Sequence, residues 1–146
     1  MKTTTFESVA ALIRETLALG EVEIQPEQLL FYDLAFTSLD LLDLLFRIEE
    51  TLGISVADGT IYRLARGDIP DEQFAEKGYL TPLGRERVMA LLSDTPREVF
   101  PEKIHAQGLP RFCTVAALVR LLDHLREQGG TSAEGPGEQA GGAERG

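Results

Sequence analysis

Ser38 is the residue with the clearest potential for chemistry, because its type and position suit the attachment of a phosphorylated group. It follows Thr37, whose side chain is a good N-cap, so Ser38 is predicted to lie in the first turn of a helix. The free backbone N–H groups and the positive end of the helix dipole there favour a phosphate bound to its hydroxyl. The nearest basic residue along the chain is Arg47, so no general base is placed nearby to activate the serine. The absence of such a base disfavours an enzyme in which Ser38 is the nucleophile.

The helix that positions Ser38 is predicted to run to Gly53, since glycine is a natural helix stop. Its apolar and charged residues recur at helical spacing, which indicates an amphipathic helix. The predicted apolar face consists of Leu39, Leu42, Leu45, Phe46 and Leu52. The predicted charged side consists of Asp40, Asp43, Arg47 and Glu50.

The stretch around Ser38 resembles the acyl carrier proteins, whose signature is Asp-Leu, a short turn, and Asp-Ser-Leu at the start of a helix. The matching residues are Asp33-Leu34, Ser38-Leu39-Asp40 and, at the end of the helix, Gly53-Ile54. The resemblance implies that Ser38 carries covalent 4'-phosphopantetheine, whose terminal thiol holds an acyl group as a thioester. It also implies a carrier rather than an enzyme. The chain departs from the signature at Thr37, where the family has an acid, and at Ala35, where a glycine is common.

Ser38 also has a plain structural interpretation, because serine and threonine at helix starts are commonly caps without chemistry. The surrounding motif favours modification over capping. Thr37 replaces the usual acid as a cap but not as a charge, so recognition by a standard phosphopantetheinyl transferase is the step most affected. Phe36 adds an aromatic side chain that packs on the core, or else lies along the arm or a partner groove.

The distribution of charge points to basic partner proteins. The net charge is −10, which argues against nucleic acid, because phosphate binding needs clustered lysine and arginine. Residues 1–56 hold ten acidic and three basic side chains, so most of the negative charge lies around Ser38. An acidic surface also simply keeps a protein in solution. The resemblance implies, as partners, a phosphopantetheinyl transferase and acyl-loading and acyl-transfer enzymes with basic surfaces, which would dock on Leu39, Asp40, Asp43 and Glu50.

The remaining patterns predict an all-α fold, and the resemblance implies an acyl-carrier-protein-like four-helix bundle with an extra helical insertion. A first helix is predicted from Thr5 to Leu19, with Gly20 as its stop, before a long loop that apolar side chains pin to the bundle. A last helix is predicted to begin at Thr114. The segment Thr114-Val115-Ala116-Ala117-Leu118-Val119 resembles the final helix of carrier proteins. The predicted domain spans residues 1–128, and the glycine-rich residues 129–146 are predicted to be a flexible tail.

Residues 57–112 are a large insertion relative to an ordinary carrier protein, and helices are predicted within it. A short helix is expected at 57–65 and a longer one at 79–92, where Thr81 is the cap and Pro82 the first helical residue. The insertion is either structural packing, or its apolar residues extend a cavity or form a partner surface for an unusual or long acyl chain. Those residues are Tyr62, Phe74, Tyr79, Met89 and Phe100. Specialised carriers of lipid A assembly resemble the chain in the helix that contains Asp40-Leu41-Leu42-Asp43 and in the extra residues after it.

The sequence gives little support to metal or nucleophilic chemistry elsewhere. His105, Cys113 and His124 lack the close paired spacing of a zinc site, and Cys113 just before a helix cap is typical of a small buried cysteine. A single cysteine fits a reducing compartment. The N-terminal stretch lacks the apolar segment of a signal peptide and no apolar run approaches bilayer length, so we expect a cytoplasmic protein.

Two other functions stay open on the sequence alone. A carrier of aminoacyl or aryl groups in nonribosomal assembly shares Ser38 and the thioester, and differs only in the partner that loads it. A non-carrier helical interaction module is the second, in which the Ser38 region is only a cap and the insertion binds a partner. An independent enzyme is disfavoured, because no nucleophile–base pair is recognisable.

Overall fold

The computed structural model of the protein describes residues 4–57 and 59–129, and this part of the chain is predominantly helical, as predicted. Its helices are α1 (Thr5–Leu17), α2 (Ser38–Leu52), α3 (Thr60–Arg66), α4 (Asp71–Phe74), α5 (Pro82–Leu91) and α6 (Val115–Gly129). Strands β1 (Ala75–Glu76) and β2 (Tyr79–Leu80) form a small antiparallel hairpin that the sequence did not predict. Its turn residues, Lys77 and Gly78, both have positive φ angles, of 55° and 86°. Only the glycine signals such a turn in the sequence, because lysine rarely adopts this conformation.

Helix α1 packs against both α2 and α6 and forms the bundle with them. Its first turn is closed by a capping box between Thr4 and Glu7. The helix ends at Leu17, two residues before the predicted end, because Ala18 takes the left-handed conformation at φ 55° and stops it. The predicted stop at Gly20 is therefore wrong by two residues. Four apolar residues of α1 are buried: Val9, Ala10, Leu12 and Ile13.

The long loop between α1 and α2 is pinned to the bundle, as predicted. The side chains of Ile24, Leu30 and Phe36 are at most 5% exposed. A backbone bridge pairs Leu29 with Thr114, and the Leu30 N–H donates to the Cys113 carbonyl over 3.1 Å. The loop that leads to Ser38 is thus held against the start of α6. Thr114 caps α6 as predicted, since its hydroxyl accepts the Ala117 N–H over 3.0 Å.

The core face of α2 differs from the predicted one. Leu44 and Ile48 are fully buried, and the partly buried Leu41, Leu45 and Leu52 pack beside them. Successive residues of a helix turn by about 100°, which places Leu39, Leu42 and Phe46 on the side opposite Leu44. They are 76%, 52% and 59% exposed. The predicted core face is wrong because the helix has leucines on two faces, and only one face packs against the bundle.

The insertion is a compact helical layer fastened to the bundle at several points. Helix α5 begins at Pro82 with Thr81 as its cap, as predicted, and packs against α3 and α4. The Thr95 hydroxyl donates to the Phe112 carbonyl over 2.7 Å in a buried position. Arg120 of α6 forms an ion pair with Asp94. The Thr95 hydrogen bond is internal to the insertion, whereas Arg120 also donates to the Leu91 carbonyl over 2.6 Å. The polar contacts of Arg120 therefore join the insertion to α6 at the protein surface.

Residues 130–146 of the predicted tail lie outside the described residues. Within the described ranges, no helix is long and apolar enough to cross a membrane.

We expect Gly84→Ala to loosen the insertion, because a Cβ there would lie 2.1 Å from the Phe74 carbonyl oxygen. Backbone must move to relieve this overlap, so the free energy of unfolding should fall by at least about 2 kcal/mol. Gly108→Ala is the control, since its Cβ meets only the flexible Arg111 side chain, at 3.3 Å. Urea unfolding of both variants checks this, and equal midpoints would contradict the close packing of α5 on Phe74.

Candidate functional site at the start of α2

Thr37 caps α2, as the sequence predicted. Its hydroxyl accepts the Asp40 N–H over 3.2 Å, and the Asp40 carboxylate accepts the Thr37 N–H over 2.9 Å. The two residues therefore form a reciprocal capping box. The Asp40 carboxylate also satisfies the Thr37 hydroxyl proton, over 3.0 Å. The first turn of α2 is thus closed by residues 37 and 40 without the help of residue 38.

Ser38 is the first residue of α2 and is exposed to solvent. Its hydroxyl makes no hydrogen bond to any side chain or backbone group within 4–57 and 59–129, so it takes no part in the cap. The first N–H groups of a helix have no partner inside the helix. Together with the helix dipole, these groups make the surroundings of Ser38 favourable for a phosphate.

The turn that precedes Ser38 is held by its own residues. Asp33 of the motif accepts the Leu29 N–H over 2.7 Å, so its carboxylate clamps the loop. Ala35 takes a left-handed conformation at φ 60°. Glycine adopts this conformation readily, which explains why glycine is common at that position of the signature. Phe36 is 5% exposed and stacks at an angle on Phe31, with ring centroids 6.3 Å apart. Phe36 therefore packs on the core, the first of the two alternatives that the sequence left open.

The residues predicted to dock partners lie on the exposed sides of α2, but not all are free. Asp40 is engaged by the cap. Asp43 pairs with Arg47 over 3.2 Å, and Arg47 also reaches Glu15 of α1 over 3.3 Å. Glu50 is exposed and has no ion pair with any described residue. We define the outer face of α2 by the exposed residues Leu39, Leu42 and Phe46, together with the exposed acids Glu49 and Glu50.

A cavity of about 850 Å³ lies beside α2, on the side opposite the Asp43–Arg47 pair. Leu41 and Leu45 line it, and they fall three and seven positions after Ser38, on the same face of the helix. Leucines of α6 form the other side: Leu118, Leu121, Leu122 and Leu125. A group attached to Ser38 therefore starts on the helix face that borders the apolar cavity.

Cys113 also lines this cavity and is 2% exposed. Burial, with a smaller contribution from the Asp94 carboxylate, raises the pKa of its thiol to about 12. The thiol is therefore neutral and poorly nucleophilic at physiological pH. This agrees with the predicted structural role of Cys113.

The apolar residues singled out in the insertion fall into three environments. Phe74, Met89 and Phe100 are at most 5% exposed and form the insertion's own core. Tyr79 is 42% exposed and stacks on His105, with ring centroids 4.7 Å apart. Only Tyr62 lines the cavity. Burial and the neighbouring Asp71 carboxylate raise the pKa of the Tyr62 hydroxyl.

Sequence reasoning missed the small cavity residues Ala75, Gly78 and Ala106. Their apolar or minimal side chains carry no periodic signal, and only the folded insertion brings them next to α2 and α6. Elsewhere in the described ranges, no group of three or more histidine, cysteine or acidic side chains is close enough together to hold a metal ion.

Comparison with known proteins decides the family. The family model described as "Phosphopantetheine attachment site" matches residues 7–66, which contain Ser38. The chain is 34% identical over 71 residues to "Acyl carrier protein AcpXL" of Brucella melitensis biotype 1, an alignment that covers 48% of this chain and 76% of the relative. The chain belongs to the acyl carrier protein family. It is a carrier rather than an enzyme, and 4'-phosphopantetheine is the covalent cofactor of its family.

Other acyl carrier proteins align with a shorter part of the chain. "Acyl carrier protein AcpXL" of Rhizobium etli is 41% identical over 54 residues, 37% of this chain and 59% of the relative. "Acyl carrier protein" of Helicobacter pylori is 36% identical over 53 residues, 36% of this chain and 68% of the relative. No solved structure matches the chain. The family model ends at residue 66, so most of the insertion lies outside it.

The capping geometry predicts effects of different size for two neighbouring substitutions. Thr37→Ala removes the side-chain acceptor of the capping box and should lower the free energy of unfolding by about 1 kcal/mol. Ser38→Ala should change it by less than about 0.5 kcal/mol, because the exposed hydroxyl has no partner in the described chain. Urea denaturation of the unmodified protein measures both. A larger loss for Ser38→Ala would show that Ser38, not Thr37, is the cap.

Proposed function

We propose that the protein carries an acyl group as a thioester on 4'-phosphopantetheine attached to Ser38. The observation that carries this proposal is that Thr37 and Asp40 form the cap of α2, whereas Ser38 is exposed and takes no part in the cap. A serine that is neither buried nor needed for the cap is accessible to a modifying enzyme. Family membership supplies the chemical identity of the modification.

The attachment is a group transfer from coenzyme A. The Ser38 oxygen forms a bond to the phosphorus that bears the pantetheine, the phosphoanhydride bond breaks, and adenosine 3',5'-bisphosphate leaves. The hydroxyl proton passes to a base of the transferase, since no basic side chain of this chain lies within the first two turns of α2. The free thiol of the arm then takes an acyl group from a loading enzyme.

The outer face of α2 is the proposed docking surface for these enzymes. Its exposed apolar residues, Leu39 and Leu42 beside Ser38 and Phe46 further along, suit an apolar contact at the centre of an interface. Glu49 and Glu50 add exposed negative charge, which steers basic partners. Three acidic residues of α2 are predicted to dock partner proteins. Glu50 is available for an ion pair with a partner protein, whereas Asp40 is bonded to Thr37 and Asp43 to Arg47 within this chain.

An acyl cargo fits the site better than an aminoacyl cargo, because the cavity beside α2 is lined mainly by apolar residues, eight of which are leucines. We place the protein in specialised fatty acid, lipid or polyketide synthesis, since its relatives are named acyl carrier proteins and the insertion sets it apart from an ordinary carrier. We propose that residues 1–128 form a single domain, because Arg120 of α6 forms an ion pair with Asp94 of the insertion and donates to the Leu91 carbonyl over 2.6 Å. A cytoplasmic location, with its reducing conditions, suits the unpaired Cys113.

Intact-mass spectrometry tests the attachment. The protein is incubated with coenzyme A and a phosphopantetheinyl transferase of broad specificity, and we expect the mass of one phosphopantetheine to be added. Ser38→Ala should gain no mass. Ser55→Ala is the matched control, because Ser55 is also an exposed serine, just beyond the end of α2, and this variant should be modified like the parent. Modification of Ser38→Ala, or a folded parent protein that stays unmodified, would contradict the proposal.

A further inference from the structure

The cavity beside Ser38 is built jointly by the bundle and the insertion. Of the 21 residues that line it, seven lie between residues 67 and 112, beyond the segment that matches the family model. Among these are Ala75, Gly78 and Ala106, whose small side chains leave room next to α3. The insertion is therefore not a separate appendage, because part of its surface faces the same cavity as α2 and α6.

The size of the cavity suits a long aliphatic chain. Benzene fills an apolar cavity of about 150 Å³, or about 25 Å³ per carbon atom. At that packing a volume of about 850 Å³ has room for at most roughly 30 carbon atoms. At about 25 Å³ per carbon, an eight-carbon acyl group would occupy about 200 Å³ of the cavity and a sixteen-carbon group about 400 Å³. The longer chain therefore extends over more of the cavity lining, which the insertion helps to form.

Tyr62 is the cavity residue through which α3 and the rest of the insertion are joined. Its ring packs edge-on against the fully buried Phe74, with centroids 4.8 Å apart and an angle of 75° between the planes. Its hydroxyl donates to the Asp71 carboxylate over 3.2 Å, and the same carboxylate forms an ion pair with Arg66 over 3.2 Å. Tyr62 is thus held in place from both its ring and its hydroxyl.

From this arrangement we propose that the insertion forms one wall of the acyl-binding cavity, that Tyr62 fixes the position of that wall, and that the cargo is a long aliphatic acyl chain. This inference rests on the proposed attachment of the arm to Ser38. Tyr62 acts here as a specificity-determining residue, because it lines the cavity and its contacts with Phe74 and Asp71 hold it against the insertion.

The test compares two chain lengths on the same protein. The arm is loaded directly from octanoyl- or palmitoyl-coenzyme A by a phosphopantetheinyl transferase, and the urea midpoint is measured for the forms with no acyl group, eight carbons and sixteen carbons. A chain that enters the cavity stabilises the folded state, because it binds only that state. We expect the midpoint to rise from each form to the next in the parent protein.

Tyr62→Ala should reduce the rise between eight and sixteen carbons by at least half and keep the rise produced by eight carbons. Tyr62→Phe keeps the ring and should behave like the parent protein. Tyr32→Ala is the matched control, since Tyr32 is 58% exposed and lies outside the cavity, and both rises should persist. Ala106→Phe fills the insertion side of the cavity without removing a contact, and it should lower the sixteen-carbon rise as well.

Three results would overturn the inference. The first is a parent protein that gains nothing from eight to sixteen carbons. The second is a sixteen-carbon rise that both Tyr62→Ala and Ala106→Phe leave unchanged, which would show that the long chain does not reach the insertion while the carrier function stands. The third is failure of Ser38 to accept any arm, which would overturn the proposed function together with this inference.

Discussion

The capping box between Thr37 and Asp40 is the interaction on which the site depends. The Thr37 hydroxyl accepts the Asp40 N–H, and the Asp40 carboxylate accepts the Thr37 N–H. These two hydrogen bonds close the first turn of α2. The neighbouring Ser38 hydroxyl is therefore not needed to cap the helix. The same geometry keeps Ser38 at the positive end of the helix dipole, where a phosphodiester is favoured. One cap thus serves both the stability of α2 and the chemistry proposed for the residue beside it.

Helix α2 has two apolar faces, and their separation organises the rest of the molecule. One face, centred on Leu44 and Ile48, is fully buried in the bundle. The outer face exposes Leu39 and Phe46, which is unusual for side chains of this size unless a partner covers them. Ser38 stands between these faces, at the head of the stripe that borders the cavity. The cavity and the outer face therefore border different sides of a single helix.

The sequence predicted those features that have a local cause. Thr37 and Thr81 as caps and Pro82 as a first helical residue follow from short-range chemistry, and the structure confirms them. The family signature around Ser38 likewise identified the family. The core face of α2 was misjudged, because leucines on both faces leave the choice to tertiary packing. The cavity wall at Ala106 had no local signal, since long-range folding alone brings it near α2.

The measurement that tests the central claim most directly is sequencing by mass spectrometry of the peptide spanning residues 15–47, released by trypsin from protein purified from its own cells. It contains the hydroxyl groups of Thr16, Tyr32, Thr37 and Ser38, and fragmentation distinguishes the four. Our account predicts phosphopantetheine on Ser38 alone. The modification on Thr37, or a peptide that is unmodified in every preparation, would contradict it.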